Sequence, residues 1–508
     1  MADKKKTKYS SDKDKASTML IDIAKSKYKF FNNKDGETFV QIETKGYKEL
    51  LHVNSESFGD CMRMWNYKKT SKGLSKNVLE TVISTLEAVS KFEGETIVTH
   101  QRYAQVDDVI YIDTCNDRRD VIKVDKFGWR IGKNPSIFFT RTTDMQELPI
   151  PESGGDIRGL LKHINIDKTN LPLLTGWMLM TMQAGKGAYA LLSVDGMAGS
   201  GKSTACRMIK KLIDPNKAPL LSQPKPSEIR VISSGHHVLG FDNFSRISPE
   251  LSDTFCRITT GDNQAFRVLY TTNSSMTVSI KKPIMINAIT EAPTRSDLIS
   301  RTISLHLNKI ETRKTEEEAW ESFDKDAPKL FGSLLDGLSC ALRNYKTTKV
   351  DNMSRLADLC IWATAASSAF GWEESTFMDA YIANVEEAHS NAVEASPFGE
   401  AIRNMFEARN GYHGRPLQLI AFLEYKQYVS DKAKNSSSWA RTARGAVDQL
   451  DKLKPSLEAI GIYYKRYKDR TNKTFVMIGD ENFTGYEKCV SHQDVRDLIN
   501  DEDEDLDF

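Results

Sequence analysis

The sequence has few cysteines and no long apolar run. No segment reaches the roughly 18 consecutive apolar residues that a membrane-spanning helix needs, and the charged start MADKKKTKYSSDKDK lacks the apolar stretch of a secretory signal. The seven cysteines are far apart and form no C-x-x-C pair, which argues against a disulfide framework or a zinc site. We therefore expect a cytoplasmic protein without membrane contact.

Charge is balanced overall but unevenly placed. The net charge is +1 over 508 residues, of which 27% are charged and 40% hydrophobic, as in ordinary globular proteins. The first fifteen residues and the stretch 441–473 are basic, whereas 501–508, DEDEDLDF, holds six acids. This segregation indicates contact with a polyanion, and a tail that could bind a basic partner. Solvated, disordered ends are the alternative.

Periodicity and turn signals predict a multidomain α/β protein. Ser75 precedes an amphipathic helical pattern, and the turn at 126–128 indicates a hairpin. The loop PIPESGG leads into helices over 156–184 and then into an apolar strand, and from about residue 313 the pattern is helical. The predicted segments are a disordered basic tail (1–20), an α+β domain (21–150), an α/β domain (151–312), a helical domain (313–395), a compact carboxy-terminal unit (396–482) and an acidic tail (483–508).

The most informative stretch is a phosphate-binding motif between a strand and a helix. The apolar strand 188–194 runs into GMAGSGKST, which fits G-x-x-x-x-G-K-[ST], and an amphipathic helix follows. Glycines let backbone N–H groups point inward, so that the loop and the helix amino terminus hold phosphates. Lys202 would neutralise the outer phosphates of ATP, and the Ser203 hydroxyl would bind Mg²⁺. The predicted ATP-binding residues are Gly196, Met197, Ala198, Gly199, Ser200, Gly201, Lys202, Ser203 and Thr204.

A second buried strand, 237–241, ends in Asp242. This carboxylate suits Mg²⁺ or its water, so Ser203 and Asp242 form the predicted metal site. Many ATPases place a glutamate next, to polarise the attacking water, but here the next residue is Asn243. A carboxamide can orient water and cannot accept its proton. Since positioning and charge stabilisation carry most of phosphoryl transfer, Asn243 does not exclude hydrolysis, although it argues against a fast rate.

A third strand and the segment after it hold three further candidates for catalysis. Asn287 interrupts the apolar strand KKPIMINAIT, as would a sensor of the γ-phosphate or of the attacking water. A turn-forming asparagine at a strand end is the alternative. Arg301 and Arg295 are candidates for an arginine finger that reaches the nucleotide of a neighbouring subunit. For both arginines, a plain surface position is the alternative.

The carboxy-terminal unit combines a helix with a basic hairpin. The helix ends near Ile460, Gly461 breaks it, and IYYKRYKDRTNKTFVMI predicts two strands joined by a charged turn. Tyrosines alternate with cations there, so the hairpin could neutralise phosphates and stack on bases. A solvated hairpin with core tyrosines is the alternative. The candidate DNA-binding residues are Lys465, Arg466, Lys468, Arg470 and Lys473.

Taken in order, these motifs resemble the superfamily 3 helicases, a branch of the AAA+ ATPases. More specifically, they resemble a family of phage and mobile-element ATP-binding proteins of the primase/helicase type. The resemblance covers about residues 25–480 and rests on PESGG (151–155), GMAGSGKST (196–204), FDNFSRISPELSDTFCRITTGD (241–262), PIMINAIT (283–290), TRSDLISRTISLHL (294–307) and SRLADLCIWATAA (354–366). Asn243 follows this family's own pattern. The resemblance implies the roles given above for Lys202, Ser203, Asp242, Asn287 and Arg301.

The resemblance also implies a homo-oligomer, a hexameric ring that encircles DNA. Superfamily 3 members grip DNA with a β-hairpin before the sensor strand, which here falls in 266–283 with its tip near 271–276. The tip is polar but not basic. The grip would therefore use Arg267, Asn273, Lys281 and Lys282.

The resemblance makes 151–312 an AAA+ P-loop ATPase domain and 396–482 a winged-helix-like DNA-binding domain. These features predict an ATP-dependent DNA helicase or translocase in the replication of a phage or mobile element. An ATP-binding replication initiator or loader is the alternative that Asn243 keeps open. A protein-remodelling ATPase lacks support because no substrate-protein domain is recognisable, and residues 21–150 lack the clustered carboxylates of a primase. The tail 501–508 could recruit a DNA polymerase or another replisome protein, cover the basic hairpin of its own chain, or only solubilise the protein.

Overall fold

The computed structural model describes residues 12–44, 47–133, 136–261, 263–267, 275–288, 295–312, 314–351 and 355–483. Within these ranges, no helix is both long and apolar enough to cross a membrane. Two cores of buried apolar side chains organise most of the chain. The larger core runs from the second half of the N-terminal region through the P-loop sheet into the helical region, and the smaller one fills the carboxy-terminal unit.

The N-terminal region begins with helices packed on a small sheet. The strand order is β3-β2-β1-β4, and Leu20, Phe58 and Leu86 are fully buried in the shared core. The helix predicted after Ser75 is present. From residue 12 onward a helix replaces the expected disorder, because Leu20 anchors that helix in the core. The elements are α1 (Asp12–Lys27), β1 (Lys29–Asn32), β2 (Thr38–Thr44), β3 (Tyr47–His52), α2 (Glu56–Thr70), α3 (Lys76–Glu93) and β4 (Glu95–Thr96).

The second half of this region is an antiparallel meander that packs on the helical region. Trp129 Nε1 donates to Asp336 Oδ1 at 2.9 Å, and Ser339 Oγ donates to the Asp125 carbonyl at 2.7 Å. The large core therefore crosses the predicted domain boundary at residue 150. The predicted hairpin is present as β8 and β9, and β5 pairs with β10. The strands are β5 (Thr99–His100), β6 (Tyr103–Val106), β7 (Val109–Asp113), β8 (Val121–Asp125), β9 (Gly128–Gly132) and β10 (Phe138–Phe139).

A four-stranded parallel sheet carries the motif residues. Its order is β12-β15-β11-β16, so the strand of Asn287 lies between the P-loop strand and the strand of Asp242. The helices expected over 156–184 are two 3₁₀ turns and α4. The elements are α4 (Leu171–Thr181), β11 (Leu191–Gly196), α5 (Lys202–Ile213), α6 (Ile229–Gly235), β12 (Leu239–Phe244), α7 (Pro249–Thr260), β13 (Asn263–Arg267), β14 (Ser275–Ser279), β15 (Ile284–Ala288), α8 (Ser296–Ile299) and β16 (Thr302–Leu307).

Three helices complete the large core. Helix α9 (Glu316–Asn344) starts at a capping box, in which the Thr315 hydroxyl accepts the Glu318 N–H and the Glu318 carboxylate accepts the Thr315 N–H. Helices α10 (Ala357–Ala366) and α11 (Ser375–Glu394) pack with α4, and this packing buries Trp177 and Trp362. Most of the segment 316–394 is thus helical, as its periodicity predicts.

The carboxy-terminal unit has its own core, to which Phe398, Leu450 and Val476 contribute. Its sheet has the order β17-β19-β18. The predicted helix end near Ile460 and the two-stranded hairpin are both present. The elements are α12 (Pro397–Arg409), β17 (Tyr412–Gly414), α13 (Pro416–Tyr425), α14 (Asp431–Lys434), α15 (Ala443–Ala459), β18 (Tyr463–Lys468) and β19 (Thr474–Gly479).

A buried ion cluster ties the meander to the P-loop sheet. Arg102, Lys210 and Asp214 are fully buried, and Arg102 Nε and Lys210 Nζ lie 3.3 and 3.6 Å from the Asp214 carboxylate. The N–H groups of His237 and Val238 also donate to this carboxylate, at 3.0 and 2.9 Å. Burial alone would raise the pKa of Asp214, but the two cations hold it well below its ordinary value. The segment that leads into β12 is thereby fixed to the end of α5.

Candidate functional site

The loop between β11 and α5 is shaped for a polar ligand. Gly196 has a φ of +144°, and a Cβ there would lie 2.7 Å from the Leu307 carbonyl oxygen, so only glycine fits. Gly201 precedes α5 with a φ of +84°, and no side chain caps the helix. The first N–H groups of α5 can therefore bind an anion. Ser200 Oγ is buried and has no hydrogen-bond partner within the described part of the chain.

The Lys202 ammonium lies against the same loop. Its Nζ donates to the carbonyl oxygens of Gly196 at 2.6 Å and of Met197 at 3.0 Å. Both acceptors belong to the loop that is predicted to surround the phosphates of ATP. The ammonium group of Lys202 therefore already lies where it could neutralise those phosphates. The side chain is only partly buried, which leaves it room to turn toward a ligand.

Ser203, Asp242 and Asn287 meet beside the loop, although they come from three different elements. Ser203 Oγ, in the first turn of α5, donates to Asp242 Oδ1 of β12 at 3.0 Å. The same Oγ accepts a hydrogen bond from Asn287 Nδ2 of β15 at 3.3 Å. A hydroxyl next to a carboxylate offers the oxygen ligands that Mg²⁺ prefers, with phosphate oxygens and water in the other positions. These residues fit a nucleotide-bound Mg²⁺.

The Asn287 amide also holds the backbone of Asn243. Asn287 is only 2% exposed, and its Oδ1 accepts the Asn243 N–H at 2.7 Å. Asn243 has a φ of +61°, and β12 bulges against β15 between Phe241 and Phe244, which leaves the Asn243 side chain exposed. Asn287 thus bridges two motif-bearing elements, as a sensor would. The alternative of a turn-forming asparagine does not account for these bonds.

The two arginine-finger candidates have different partners in this chain. Arg295 forms ion pairs with Asp253 and Asp297, both at 3.0 Å. Arg301 is half-buried, and its Nη1 donates to the Asp297 carbonyl at 2.8 Å. Because Arg295 is held by two carboxylates of its own subunit, Arg301 is the better candidate for contact with a neighbour.

Sequence reasoning missed Asp195, the residue directly before the loop. Its Oδ1 lies 2.5 Å from Nδ1 of His306, its partner in the β11–β16 register. Asp195 is 4% exposed, and burial raises the pKa of its carboxyl. The signal for this residue was an acid inside the apolar run AYALLSVDG, immediately before the first glycine.

The hairpin before the sensor strand is present as β13 and β14, which pair from Asn263–Ser279 to Arg267–Ser275. Ser275 and Met276, which the prediction places in the tip, belong to β14, and Asn273 falls outside the described residues. Arg267 is the last residue of β13, next to the tip.

The lysines at the base of this hairpin, Lys281 and Lys282, contact their own chain. Lys281 Nζ donates to the Gly185 carbonyl at 2.7 Å, and Lys282 Nζ donates to Gln101 Oε1 at 2.6 Å. Burial also lowers the pKa of Lys282, to about 8. In this structure both ammonium groups anchor the hairpin base to its own chain.

The predicted cations of the carboxy-terminal hairpin divide into two groups. Lys465 Nζ lies 4.3 Å above the Phe483 ring, and Arg466 Nη1 lies 2.9 Å from Asp451 Oδ2. Both side chains thus have partners in this chain. The exposed side chains of Lys468, Arg470 and Lys473 lie at or beside the turn.

The hairpin tyrosines differ in exposure. Tyr464 is buried in the core. The Tyr467 ring stacks on Phe475 at 5.7 Å and remains 42% exposed. Further cations lie nearby, at Arg415, Arg441 and Arg444. The basic segment WARTAR was the signal in the sequence for Arg441 and Arg444.

Two family models match the chain. The model of the actinomycete integrative conjugative element replication protein matches residues 157–389, and the model of the AICE RepA C-terminal domain matches residues 398–484. The first range contains the phosphate loop, Asp242, Asn287 and Arg301, and the second contains the basic hairpin. The chain is therefore similar to a replication protein of a mobile element over most of its length.

The comparison with solved structures is weak, and no curated protein matches the chain. The A form apo structure of the NrS-1 C terminal region has 11% sequence identity and a TM-score of 0.38, covering 92% of this chain and 98% of that one. A second apo structure of the same region has 12% identity and a TM-score of 0.35, covering 92% and 100%. TM-scores this low do not establish a shared fold.

Proposed function

We propose that this chain is a Mg²⁺- and ATP-dependent DNA helicase or translocase that acts in the replication of a mobile element. The observation that carries the proposal is the hydrogen-bonded set of Ser203, Asp242 and Asn287 beside a phosphate loop. The family matches support the replication context, since they name a replication protein of integrative conjugative elements over residues 157–389 and 398–484.

In this proposal each side chain of the loop region has a defined task. Lys202 exchanges its bonds with the Gly196 and Met197 carbonyls for the outer phosphates of ATP. Ser203 and Asp242 would hold Mg²⁺, which would supply positive charge against the transferred phosphoryl group. Asn243 orients the attacking water without accepting its proton, and Asn287 keeps the Asn243 backbone in place.

The fold supports the AAA+ and superfamily 3 assignment, which remains part of the proposal. The sheet order places the Asn287 strand between the strands of the loop and of Asp242. The carboxy-terminal order of helix, strand, helices and hairpin supports a winged helix. We propose that the subunits form a hexameric ring with Arg301 at each subunit interface, and that the β13–β14 hairpin contacts DNA inside it.

The alternative is an ATP-binding initiator or loader without processive unwinding. Asn243 is the observation that favours it, because no carboxylate follows Asp242 to accept a proton from water. Displacement of a labelled strand from a forked duplex separates the two functions, with Lys202→Ala as the inactive control. DNA-stimulated ATP hydrolysis with strand displacement supports the helicase. Hydrolysis or ATP binding without displacement supports the loader, and electron microscopy with an ATP analogue and forked DNA tests the ring.

A further inference from the structure

A groove of about 1540 Å³ lies between α13, α15 and the hairpin of the carboxy-terminal unit. We propose that this groove binds the acidic segment 501–507 of the same chain. The binding itself is independent of the proposed function. Only its consequence for DNA rests on the assignment of the hairpin as a DNA-binding surface.

The helices supply four cations to the groove. Arg415 precedes α13, Lys434 ends α14, and Arg441 and Arg444 stand at the start of α15. Arg441 and Arg444 are exposed. Lys434 lies 3.2 Å from Asp431, and Arg444 lies 3.9 Å from an aspartate one turn on. Exposed pairs of this kind contribute little, so these cations can exchange their partners for stronger ones.

The hairpin supplies three more cations, Arg466, Lys468 and Lys473. Of the seven cations, Arg466 is paired with Asp451, and the groove itself has two acidic side chains, Glu424 and Asp448. Glu424 is already used, because its Oε1 accepts the Trp439 Nε1–H at 2.7 Å. The groove therefore has a strong excess of positive charge and will attract a polyanion.

Apolar side chains also line the groove, and they favour a polyanion that carries apolar groups of its own. Leu417, Ile420 and Val447 contribute to it, and Leu417 is 36% exposed. Ile420 and Val447 are largely covered by the core of the unit, so Leu417 is the exposed apolar side chain of this set. Duplex DNA keeps its bases paired inside and would leave the exposed part of Leu417 without an apolar partner. The segment DEDEDLDF offers six carboxylates together with Leu506 and Phe508. A peptide of this composition matches both the cations and the apolar surface.

The acidic segment can reach the groove from its attachment point. The described chain ends at Phe483, whose ring lies under Lys465 on the hairpin, and residues 484–500 connect it to the acids. Seventeen residues span at most about 60 Å, more than a domain of this size requires. A tether of this length gives an effective concentration of about a millimolar. A weak contact is therefore enough to populate the bound state.

The consequence is competition between the segment and DNA, since Lys468 and Lys473 belong to both surfaces. If the segment occupies the groove nine-tenths of the time, the apparent DNA affinity falls about tenfold. The effect should fade as salt screens the charges, because the Debye length is about 10 Å at 0.1 M.

Zero-length carbodiimide crosslinking of the full chain, without DNA or ATP, tests the binding directly. Crosslinks should join Lys434, Lys468 or Lys473 to carboxylates of 501–507, and mass spectrometry locates them. The exposed lysines Lys432 and Lys452, which do not line the groove, serve as internal controls. Crosslinks spread over all exposed lysines, or no crosslinks to the groove, would overturn the proposal. Mixing isotope-labelled with unlabelled chains distinguishes the same chain from a second copy, and crosslinks only between copies also overturn it.

A pair of matched charge reversals gives a second test. Arg441→Glu with Arg444→Glu should remove most crosslinks to the segment, whereas Lys432→Glu with Lys452→Glu should keep them. Deletion of 499–508 should raise affinity for a single-stranded oligonucleotide about tenfold at low salt. If that oligonucleotide, rather than the acidic segment, crosslinks to the groove lysines, the groove is a nucleic-acid site and the proposal is wrong. Groove crosslinks in a protein that unwinds nothing would refute the helicase and leave the groove assignment intact.

Discussion

The phosphate loop and the carboxy-terminal hairpin hold their polar side chains in different ways. At the loop, Lys202 bonds to the loop carbonyls, and Ser203 bonds to both Asp242 and Asn287. At the hairpin, the exposed cations Lys468 and Arg470 project beside a turn. The loop therefore depends on the placement of a few atoms, whereas the hairpin acts through the sum of its charges. A single substitution at the loop should therefore cause a large loss of function. Substitutions at the hairpin should each have a small effect, and these effects should nearly add up.

Lys202→Ala should have the largest effect and test the loop side of this comparison. Loss of the only side-chain charge in the loop should reduce ATP turnover by at least about a hundredfold, as the loss of a transition-state donor does. Thermal unfolding should be unchanged, because no core atom is removed. Phosphate release and melting curves measure the two quantities. Arg207→Ala, on the same helix and 39% exposed in its side chain, is the control that should keep turnover. Retained turnover in monodisperse Lys202→Ala would refute the site.

Arg301→Ala should leave nucleotide binding nearly unchanged and reduce hydrolysis about a thousandfold, as for arginines that act in trans. Arg295→Ala should have a smaller effect, because Arg295 is paired with Asp253 and Asp297. Mixed rings of Arg301→Ala and Lys202→Ala subunits should recover part of the activity if sites form between subunits. No recovery at any ratio, in rings shown to exchange subunits, counts against that geometry.

The same contrast explains what the sequence could predict. The meeting of Ser203, Asp242 and Asn287 follows from a strand–loop–helix motif and from parallel strands, whose carboxyl ends share one edge of the sheet. The partners of Lys282 and Arg466 do not follow, because Gln101 and Asp451 are brought there by tertiary packing. The Arg102–Asp214 ion pair could not be predicted from the sequence either, because its two residues are 112 positions apart. Local sequence patterns predict where the backbone runs. Which charged side chains remain exposed depends on tertiary packing.

The hairpin gives a third prediction, which divides its five cations. Replacing Lys468, Arg470 and Lys473 by alanine should lower the log–log salt slope of DNA binding by about 0.7 to 0.9 for each phosphate that the variant no longer neutralises. Replacing Lys465 and Arg466 should change the slope much less, because these side chains contact Phe483 and Asp451. Fluorescence anisotropy over a salt series measures both variants. Equal salt slopes for the two variants would show that the two groups of cations contribute equally to DNA binding.

The smallest expected effect belongs to Asn243, and it decides whether this residue acts through its amide or only through its backbone. A φ of +61° is strained for alanine, by about 1 to 2 kcal/mol, and free for glycine. If the amide orients water, Asn243→Gly and Asn243→Ala should both slow hydrolysis, by about fivefold for one hydrogen bond of about 1 kcal/mol. If only the turn matters, Asn243→Gly keeps the rate and Asn243→Ala alone loses it. Single-turnover hydrolysis at saturating ATP separates the two outcomes, since nucleotide binding does not limit it. A glycine variant as fast as the parent would exclude the water-orienting role and shift the mechanism to the Asn287 amide, whose Oδ1 holds the same backbone N–H at 2.7 Å.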